Sequence, residues 1–137
     1  PMQWSAEHNA GFSPGSTTWL KVNPEYTKKN VDTQENDPDS LLNFYRRLMR
    51  LRHDYPVLCK GDYKWIDANS NDYIAFLRCE KGLTSVAVYL NFSSQSLAVE
   101  PALYLSKPGE VLVSSYGQKG NYTESYTLRP FEAAVFA

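Results

Sequence analysis

The first 38 residues show neither a helical nor a strand period, and this feature most constrains how the chain can fold. Gly, Pro, Ser, Thr and Asn are frequent in the segment, yet it also holds four large aromatic residues, Trp4, Phe12, Trp19 and Tyr26. A structureless stretch of this length is unusual inside a compact domain. A solvated linker would not carry so many aromatic rings. We therefore expect the segment to pack against a surface that lies outside these 137 residues.

One helix is predicted over residues 39–55. Asp37 offers an N-cap carboxylate, and Pro38 stands at the first helical position. Apolar residues then recur at spacings of three and four, which favours an amphipathic helix; they are Leu41, Phe44, Tyr45, Leu48, Leu51 and Tyr55. The helix is expected to end before Pro56, because the residue preceding a proline is pushed out of the helical region.

From about residue 61 onward the pattern changes to short strands separated by turns. Strict alternation is clearest over 86–92, where every second residue is apolar and large. Further strands are predicted at 63–66, 73–77, 97–99, 111–113, 126–128 and 133–136. Several short strands at close spacing favour an antiparallel β-sandwich or barrel. The predicted fold class is thus mainly β, with an irregular segment and one α-helix before the β-domain.

Charge and composition exclude two classes of partner. The chain has fourteen Lys and Arg and fifteen Asp and Glu, which gives a formal net charge of −1. Nucleic-acid binders and polybasic membrane-surface proteins both need clustered positive charge. No apolar run approaches the roughly 20 residues that span a bilayer. Neither a nucleic acid nor a membrane is expected as a partner of this chain, and no pattern indicates a cofactor.

The two cysteines leave two interpretations open. Cys59 and Cys79 flank a predicted hairpin whose turn centres between Asn69 and Ser70, which brings the two thiols close to opposite positions. They form either a disulfide or two half-buried free thiols. There is no CxxC motif and no Cys/His ligand spacing, so no zinc site is predicted.

A polar turn imitates the start of a calcium loop. Asp67, Asn69 and Asn71 alternate as in an EF-hand, but the sixth position is Asp72 instead of Gly and the twelfth is Arg78 instead of Glu. We interpret the stretch as a hairpin turn, and no metal site is predicted.

The remaining polar motifs do not indicate chemistry on their own. His8 and His53 each adjoin a carboxylate in sequence, but catalytic partners usually converge from different elements. Asn91-Phe-Ser and Asn121-Tyr-Thr are glycosylation sequons, and Asn91 lies inside a predicted strand, which makes it the poorer acceptor. No nucleophile, metal cage or phosphate loop emerges from these residues.

Several segments resemble one enzyme family closely. They are Pro1-Met-Gln-Trp4, Asn9-Ala-Gly-Phe12, Trp19-Leu-Lys-Val-Asn-Pro24, the helix with its Leu-Arg-His-Asp-Tyr-Pro segment, Leu90-Asn-Phe-Ser93 and Leu128-Arg-Pro-Phe-Glu132. The chain is similar to the C-terminal part of an α-glucosidase of glycoside hydrolase family 13, the α-amylase family, in its oligo-1,6-glucosidase and maltase branch. The N-terminal third carries the most specific part of this resemblance.

The resemblance implies a domain organisation. Family members have a (β/α)8 barrel followed by an antiparallel β-sandwich. Residues 1–38 would be the connection after the last barrel strand, near the mouth of the active site. Residues 39–55 would be the last barrel helix, and residues 56–137 the C-terminal β-sandwich domain. Since the chain starts at Pro1 without Met, we expect it to be a C-terminal piece of a longer protein.

The resemblance also implies a reaction. In such enzymes a nucleophilic Asp and an acid/base Glu hydrolyse an α-glucosidic bond with retention. These carboxylates lie on earlier barrel strands, so no catalytic residue is assigned in this chain and the isolated chain is expected to be inactive. Gln3 and Trp4 are the substrate-binding candidates, at the rim of the pocket. Ser5 departs from the Asp that is common in the family at this place.

Two other functions remain as alternatives. Some relatives keep the fold but serve as non-catalytic, membrane-tethered subunits of amino-acid transporters. The chain could also be an autonomous sugar-binding β-domain.

The expected partners follow from the same resemblance. They are the missing catalytic barrel of the same polypeptide, α-linked gluco-oligosaccharides for the parent enzyme, and a second copy that covers the exposed barrel-facing surface. The compartment would be cytoplasmic for a bacterial oligo-1,6-glucosidase, and secreted or membrane-attached for a maltase.

Overall fold

The computed structural model describes residues 1–67, 69–105, 109–117, 120–122 and 124–137. The chain divides into two compact units, Pro1–Arg47 and Leu48–Ala137, here called the N-terminal unit and the β-unit. Within the described ranges, no helix combines the length and the apolarity that crossing a bilayer requires.

The N-terminal unit is built mainly from turns. It contains two short 3-10 helices, His8–Gly11 and Pro24–Thr27, and the five-residue helix α1, Val31–Glu35. Asn23 caps the 3-10 helix Pro24–Thr27, because its side-chain oxygen accepts a hydrogen bond from the amide of Glu25 at 2.9 Å. Most other residues before the long helix lie in bends or irregular backbone.

The long helix α2 spans Leu41–Asp54, inside the predicted 39–55. Its start differs from the prediction, because Ser40 caps it in place of Asp37. The Ser40 hydroxyl accepts a hydrogen bond from the amide of Asn43 at 3.2 Å. The carboxylate of Asp37 is used in the preceding turn, where it accepts from the Asp39 amide at 2.9 Å. A capping residue works only directly before the first helical turn, and Ser40 holds that position.

The described residues of the β-unit form the short helix α3, Val57–Lys60, and eight strands. The strands are β1 Asp62–Asp67, β2 Tyr73–Cys79, β3 Val86–Asn91, β4 Leu97–Val99, β5 Glu110–Ser114, β6 Gly120–Asn121, β7 Tyr126–Leu128 and β8 Ala133–Phe136. A 3-10 turn, Pro101–Leu103, follows β4. Six strands form one sheet in the order β1-β2-β3-β8-β5-β6, and β4 pairs with β7 in a second sheet. All pairings among these strands are antiparallel, which confirms the prediction of a mainly antiparallel β-structure.

The hydrophobic core of the β-unit joins the two sheets. Phe136 is completely buried, and the rings of Tyr89, Tyr122 and Tyr126 meet it edge-on at centroid distances of 5.7, 5.2 and 5.1 Å. Leu128 contributes from the second sheet and is also fully buried. Edge-to-face packing is the favoured geometry for aromatic rings. Phe136 is therefore the centre of this core.

Candidate functional site

The candidate site lies in the N-terminal unit, where Gln3 and Trp4 are held from two sides. On one side, the amides of Trp4 and Ser5 both donate to the carbonyl of Ala10, at 2.9 and 3.1 Å. On the other side, the amides of Val31 and Asp32 donate to the carbonyls of Gln3 and Trp4, at 2.9 and 3.1 Å. These backbone bonds fix the position from which the two candidate side chains project.

The turn that holds Trp4 is conformationally unusual. Asn9, Ala10 and Gly11 have consecutive φ angles of 51, 59 and 65°. The left-handed region is unfavourable for residues with a Cβ, by about 1–3 kcal/mol each. A Cβ added at Gly11 would lie 2.6 Å from the hydroxyl oxygen of Ser5, so the close approach of the chain requires glycine at this position.

The side chain of Asn9 stabilises this turn. Its amide nitrogen donates to the carbonyl of Gly15 at 2.6 Å and also reaches the carbonyl of Ser13. The ring of His8 contacts the Gly15 carbonyl as well, with Nε2 at 3.1 Å. His8 is thus part of the turn, and no described carboxylate pairs with it. The methyl of Ala10 is fully buried beneath these contacts.

Asn30 fixes the opposite side of the site and was not foreseen as a key residue. Its side chain is almost completely buried, its oxygen accepts from the Thr33 amide at 2.9 Å, and its nitrogen donates to the Tyr26 carbonyl at 2.8 Å. The Thr33 hydroxyl completes a capping box at the start of α1. The sequence signal was present in the pattern Asn30-Val-Asp-Thr33, since an N-cap asparagine is recognisable three residues before its partner.

The candidate side chains are accessible to solvent. Trp4 is 49% exposed and Gln3 is half-buried. Other large apolar side chains of the same unit are also exposed; they are Met2, Phe12, Trp19 and Leu20. A unit whose aromatic residues face outward presents a surface suited to a partner.

The described residues do not form a metal centre. No group of three or more His, Cys, Asp or Glu side chains in these ranges is placed to hold an ion. In the turn that imitates a calcium loop, the Asp67 carboxylate instead accepts hydrogen bonds from the Asn69 amide at 2.9 Å and the Tyr73 hydroxyl at 3.0 Å. The Asn69 amide and then the Tyr73 hydroxyl lower the pKa of Asp67. Ala68 lies outside the described residues. These bonds support the interpretation as a hairpin turn.

Of the two interpretations of the cysteines, the structure has the free thiols. Cys59 is exposed in α3, and Cys79 is half-buried at the end of β2. The predicted hairpin register was wrong: Cys79 pairs with Asp62, because the turn is centred later in the sequence than predicted, with Asp67 opposite Ala75. The thiol of Cys59 contacts the carbonyl of Arg52 at 3.5 Å instead.

Glu132 and Asn91 hydrogen-bond to neighbouring segments of the β-unit, and the sequence analysis did not predict this role for either residue. Glu132 is buried and accepts hydrogen bonds from the hydroxyls of Ser114 and Tyr126 and from the amide of Arg129. Burial, and then the hydrogen bond to Glu132, raise the pKa of Tyr126 to about 12. In the sequence, the Leu128-Arg-Pro-Phe-Glu132 motif alone pointed to this hydrogen-bonded cluster around Glu132. Hydrophobic periodicity does not predict a buried acidic residue that lies between apolar ones.

Asn91 is a second such residue. Its amide nitrogen donates to the carbonyls of Gln95 and Arg129, both at 2.8 Å, and its oxygen accepts from the Ser93 amide at 2.8 Å. The side chain is buried, which agrees with its being a poor glycan acceptor. Asn121 is exposed in β6, and the third residue of its sequon lies outside the described residues.

Comparison with known proteins shows which family these features resemble. Residues 1–61 match the model of the α-amylase catalytic domain. The chain is 38% identical over 140 residues to an oligo-1,6-glucosidase of Halalkalibacterium halodurans, covering 99% of this chain and 24% of that protein. It is 33% identical over 136 residues to a probable oligo-1,6-glucosidase of Bacillus subtilis, again covering 99% and 24%. The chain is thus similar to proteins of the α-amylase family.

Two solved structures are similar to nearly the whole chain. An isomaltulose synthase from Klebsiella sp. LX3 superposes with a TM-score of 0.85 at 30% identity, covering 99% of this chain and 24% of that one. A trehalulose synthase gives a TM-score of 0.81 at 32% identity with the same coverage. The chain thus spans about a quarter of the length of the relatives it matches.

Proposed function

We propose that this chain is the C-terminal portion of a retaining α-glucosidase that hydrolyses terminal α-glucosidic bonds of oligosaccharides. One observation carries the proposal: 99% of the chain aligns with oligo-1,6-glucosidases, while residues 1–61 match a catalytic domain. In this proposal residues 1–38 connect the last barrel strand to the last barrel helix at 39–55. Residues 56–137 form the β-sandwich domain that follows the barrel.

The proposed chemistry is shared between this chain and the barrel. The nucleophilic Asp and the acid/base Glu belong to barrel strands outside the chain, and they act through a covalent glycosyl intermediate. The contribution of this chain is positional. Its backbone bonds hold Gln3 and Trp4 against Ala10 and α1, so that an aromatic ring and an amide reach the rim of the substrate pocket in a fixed geometry.

The unusual turn supports a functional role for this segment. Unfavourable φ angles at Asn9 and Ala10 persist only where surrounding contacts enforce them, and such outliers cluster at active sites and ligand clamps. In the proposal, the turn keeps Trp4 preorganised, since its carbonyl at Ala10 accepts the amides of both Trp4 and Ser5. Preorganised contacts cost no ordering when substrate arrives.

A chimera tests the proposal. The 137-residue chain replaces the matching quarter of the Halalkalibacterium halodurans oligo-1,6-glucosidase, and activity is measured on maltose, isomaltose and an aryl α-glucoside. The chain alone should show no turnover, whereas the chimera should hydrolyse at least one substrate with retention of anomeric configuration. Turnover by the chain alone, or a folded chimera without activity, would contradict the proposal.

Two tryptophan variants of the chimera test the proposed rim. Trp4→Ala should lower kcat/KM by about tenfold, equivalent to about 1.4 kcal/mol of transition-state binding. Trp65→Ala is the matched control, because Trp65 is 56% exposed in β1 of the β-unit, outside the segment proposed to lie at the pocket, and it should retain kcat/KM within about twofold. Equal losses in the two variants would show that Trp4 has no special position at the pocket.

A further inference from the structure

The β-unit contains a surface cleft that the proposed hydrolytic reaction does not use. Its volume is about 730 Å³, within the range of about 300–1,000 Å³ that is typical of small-molecule sites. Its walls come from the ends of β5, β6 and β8, from the loop at residues 82–85 between β2 and β3, and from the residue that follows α2. Among the described residues, six polar ones line it: Tyr55, Thr84, Ser85, Glu110, Asn121 and Tyr122.

Tyr122 presents a buried hydroxyl to this cleft. The residue is only 6% exposed, and its hydroxyl has no hydrogen-bond partner among the described residues. The ring is held by edge-to-face packing on Phe136 at 5.2 Å, and the amide donates to the Gly109 carbonyl at 3.0 Å. Burial raises the pKa of Tyr122, so the phenol is neutral near pH 7 and can both donate and accept. A buried polar group without a partner is uncommon in folded proteins.

Glycine keeps the space beside that hydroxyl open. A Cβ added at Gly109 would lie 3.4 Å from the Tyr122 hydroxyl and only 1.7 Å from the carbonyl oxygen of Ala137. No side chain can therefore be accommodated at Gly109 without moving β8. The backbone at this end of the cleft is fixed, because Glu110 and Ala137 exchange two hydrogen bonds, at 2.9 and 3.1 Å.

A second phenol and a carboxylate face the same cleft. The pKa of Tyr55 is raised by burial first and then by the negative charge of Glu110, and both residues line the cleft. Glu110 pairs with Asn121 across β5 and β6. The lining thus offers a carboxylate and an amide beside two neutral phenols. Leu83 and Leu105 add apolar surface.

The chemistry of the lining selects the class of ligand. None of the described residues that line the cleft is Lys, Arg or His, and Glu110 is a carboxylate, so the described lining favours a ligand without negative charge. Hydroxyl, amide and carboxylate groups suit a ligand that carries many neutral hydroxyls, and the phenol rings and leucines suit its C–H faces. We propose that this cleft binds a neutral polyhydroxylated ligand with the dimensions of a di- or trisaccharide. The choice of a gluco-oligosaccharide as the ligand rests on the proposed function, whereas the ligand class rests on the lining.

Titration of the 137-residue chain tests the site. Maltotriose and isomaltotriose are added to the ¹⁵N-labelled chain up to about 20 mM, a range that covers weak sugar affinities. We expect saturable shifts of the Ser85, Glu110 and Tyr122 amides. Tyr122→Phe keeps the ring and removes the unpartnered hydroxyl, so it should fold normally and lower the association constant by about two- to tenfold. Glu110→Gln should lower it by about tenfold.

A matched tyrosine provides the control. The hydroxyl of Tyr116 donates to the Pro130 carbonyl at 2.9 Å, and Tyr116 does not line the cleft. Tyr116→Phe should leave the association constant unchanged. A flat titration, or binding that is insensitive to Tyr122→Phe, would overturn the inference, and so would shifts confined to the smaller cleft at Tyr73 and Tyr104. Because binding is measured on the chain alone, its failure is distinguishable from loss of activity in the chimera.

Discussion

The two units of this chain are stabilised by different forces. In the β-unit, ten buried residues form one hydrophobic cluster around Phe136. In the N-terminal unit the buried residues are Ala10, Asn30 and Ser40, of which only Ala10 is apolar. Backbone and side-chain hydrogen bonds hold that unit together, while its large aromatic residues stay exposed. Hydrophobic burial dominates stability, so we expect the β-unit to be the more stable of the two.

This difference follows from where each unit places its aromatic rings. Tyr89, Tyr122 and Tyr126 surround a buried ring in the β-unit, whereas Trp4 and Trp19 have no such centre. Hydrogen bonds contribute little net stability, because the unfolded chain makes equivalent bonds with water. They are nevertheless directional, so they can fix a geometry that burial alone would leave loose. In the N-terminal unit, hydrogen bonds thus fix the positions of the residues but add little to the free energy of unfolding.

The largest test of this comparison is the substitution Phe136→Ala. It removes the ring on which three tyrosines pack, and the resulting cavity should cost about 3–5 kcal/mol of unfolding free energy. Chemical denaturation followed by near-ultraviolet circular dichroism measures this loss. Phe92→Ala is the matched control, since Phe92 is 59% exposed and should change stability by less than about 0.5 kcal/mol. Equal effects would show that the core is not centred on Phe136.

The next largest effect is expected from Asn30→Ala. The substitution removes the cap of α1 and the bond to the Tyr26 carbonyl, at a cost of about 1–2 kcal/mol. Hydrogen exchange should accelerate at Val31 and Asp32, whose amides hold the candidate site, and should stay unchanged in β3. In Asn36→Ala only the exposed bond to the Asp32 carbonyl is lost, so exchange should hardly change. Faster exchange throughout the β-unit would refute the independence of the two units.

A smaller effect concerns self-association through the exposed aromatic residues. If the N-terminal unit is normally covered, the isolated chain should hide this surface by pairing with a second copy. Trp19→Ser, at a residue that is 98% exposed, should raise the dimer dissociation constant by about fivefold, near 1 kcal/mol. Sedimentation velocity measures it. If association depends on Trp65 of β1 and not on Trp19, the surface that self-associates belongs to the β-unit.

The smallest effect is a pH dependence of the β-unit. The pKa of Tyr126 is raised to about 12 from the usual 10.0. Between these values the unfolded chain loses the phenol proton while the folded chain keeps it, so stability is unaffected below pH 10 and falls as the pH rises from 10 towards 12. Thermal unfolding across this range should show a shallower fall for Tyr126→Phe than for Tyr116→Phe. If stability falls equally with pH in both variants, ionisation of Tyr126 does not cause the loss of stability at alkaline pH.

The sequence predicted the elements well where local chemistry determines them. The helix ends at Asp54, as the proline at position 56 requires, and its start differed because Ser40 lies closer to the first turn than Asp37. The strands at 97–99, 126–128 and 133–136 match the observed bounds. Alternation over 86–92 indicated one buried face, but β3 is central, between β2 and β8. Val86 and Ala87 are therefore both completely buried.

Features that depend on distant segments could not be predicted. The cleft is formed by Tyr55, Ser85 and Tyr122, which lie about 30 positions apart from one to the next and share no period. The hairpin register depended on where the polar turn is centred, since Asp67 lies opposite Ala75, and a small shift of register has no signature in composition. The backbone site around Trp4 was suggested by a family motif, while its support from Asn30 required the fold.

The buried amide of Asn91 has a consequence for how this chain can be produced. In the folded state its nitrogen is committed to two carbonyls, one of them 38 residues away at Arg129, so an enzyme that reads the Asn91-Phe-Ser sequon can reach it only before the β-unit closes. A glycan attached there would occupy the place of both bonds and hold β3 apart from the turn before β8. In a secretory host, a sugar at Asn91 would therefore mark the molecules that failed to fold.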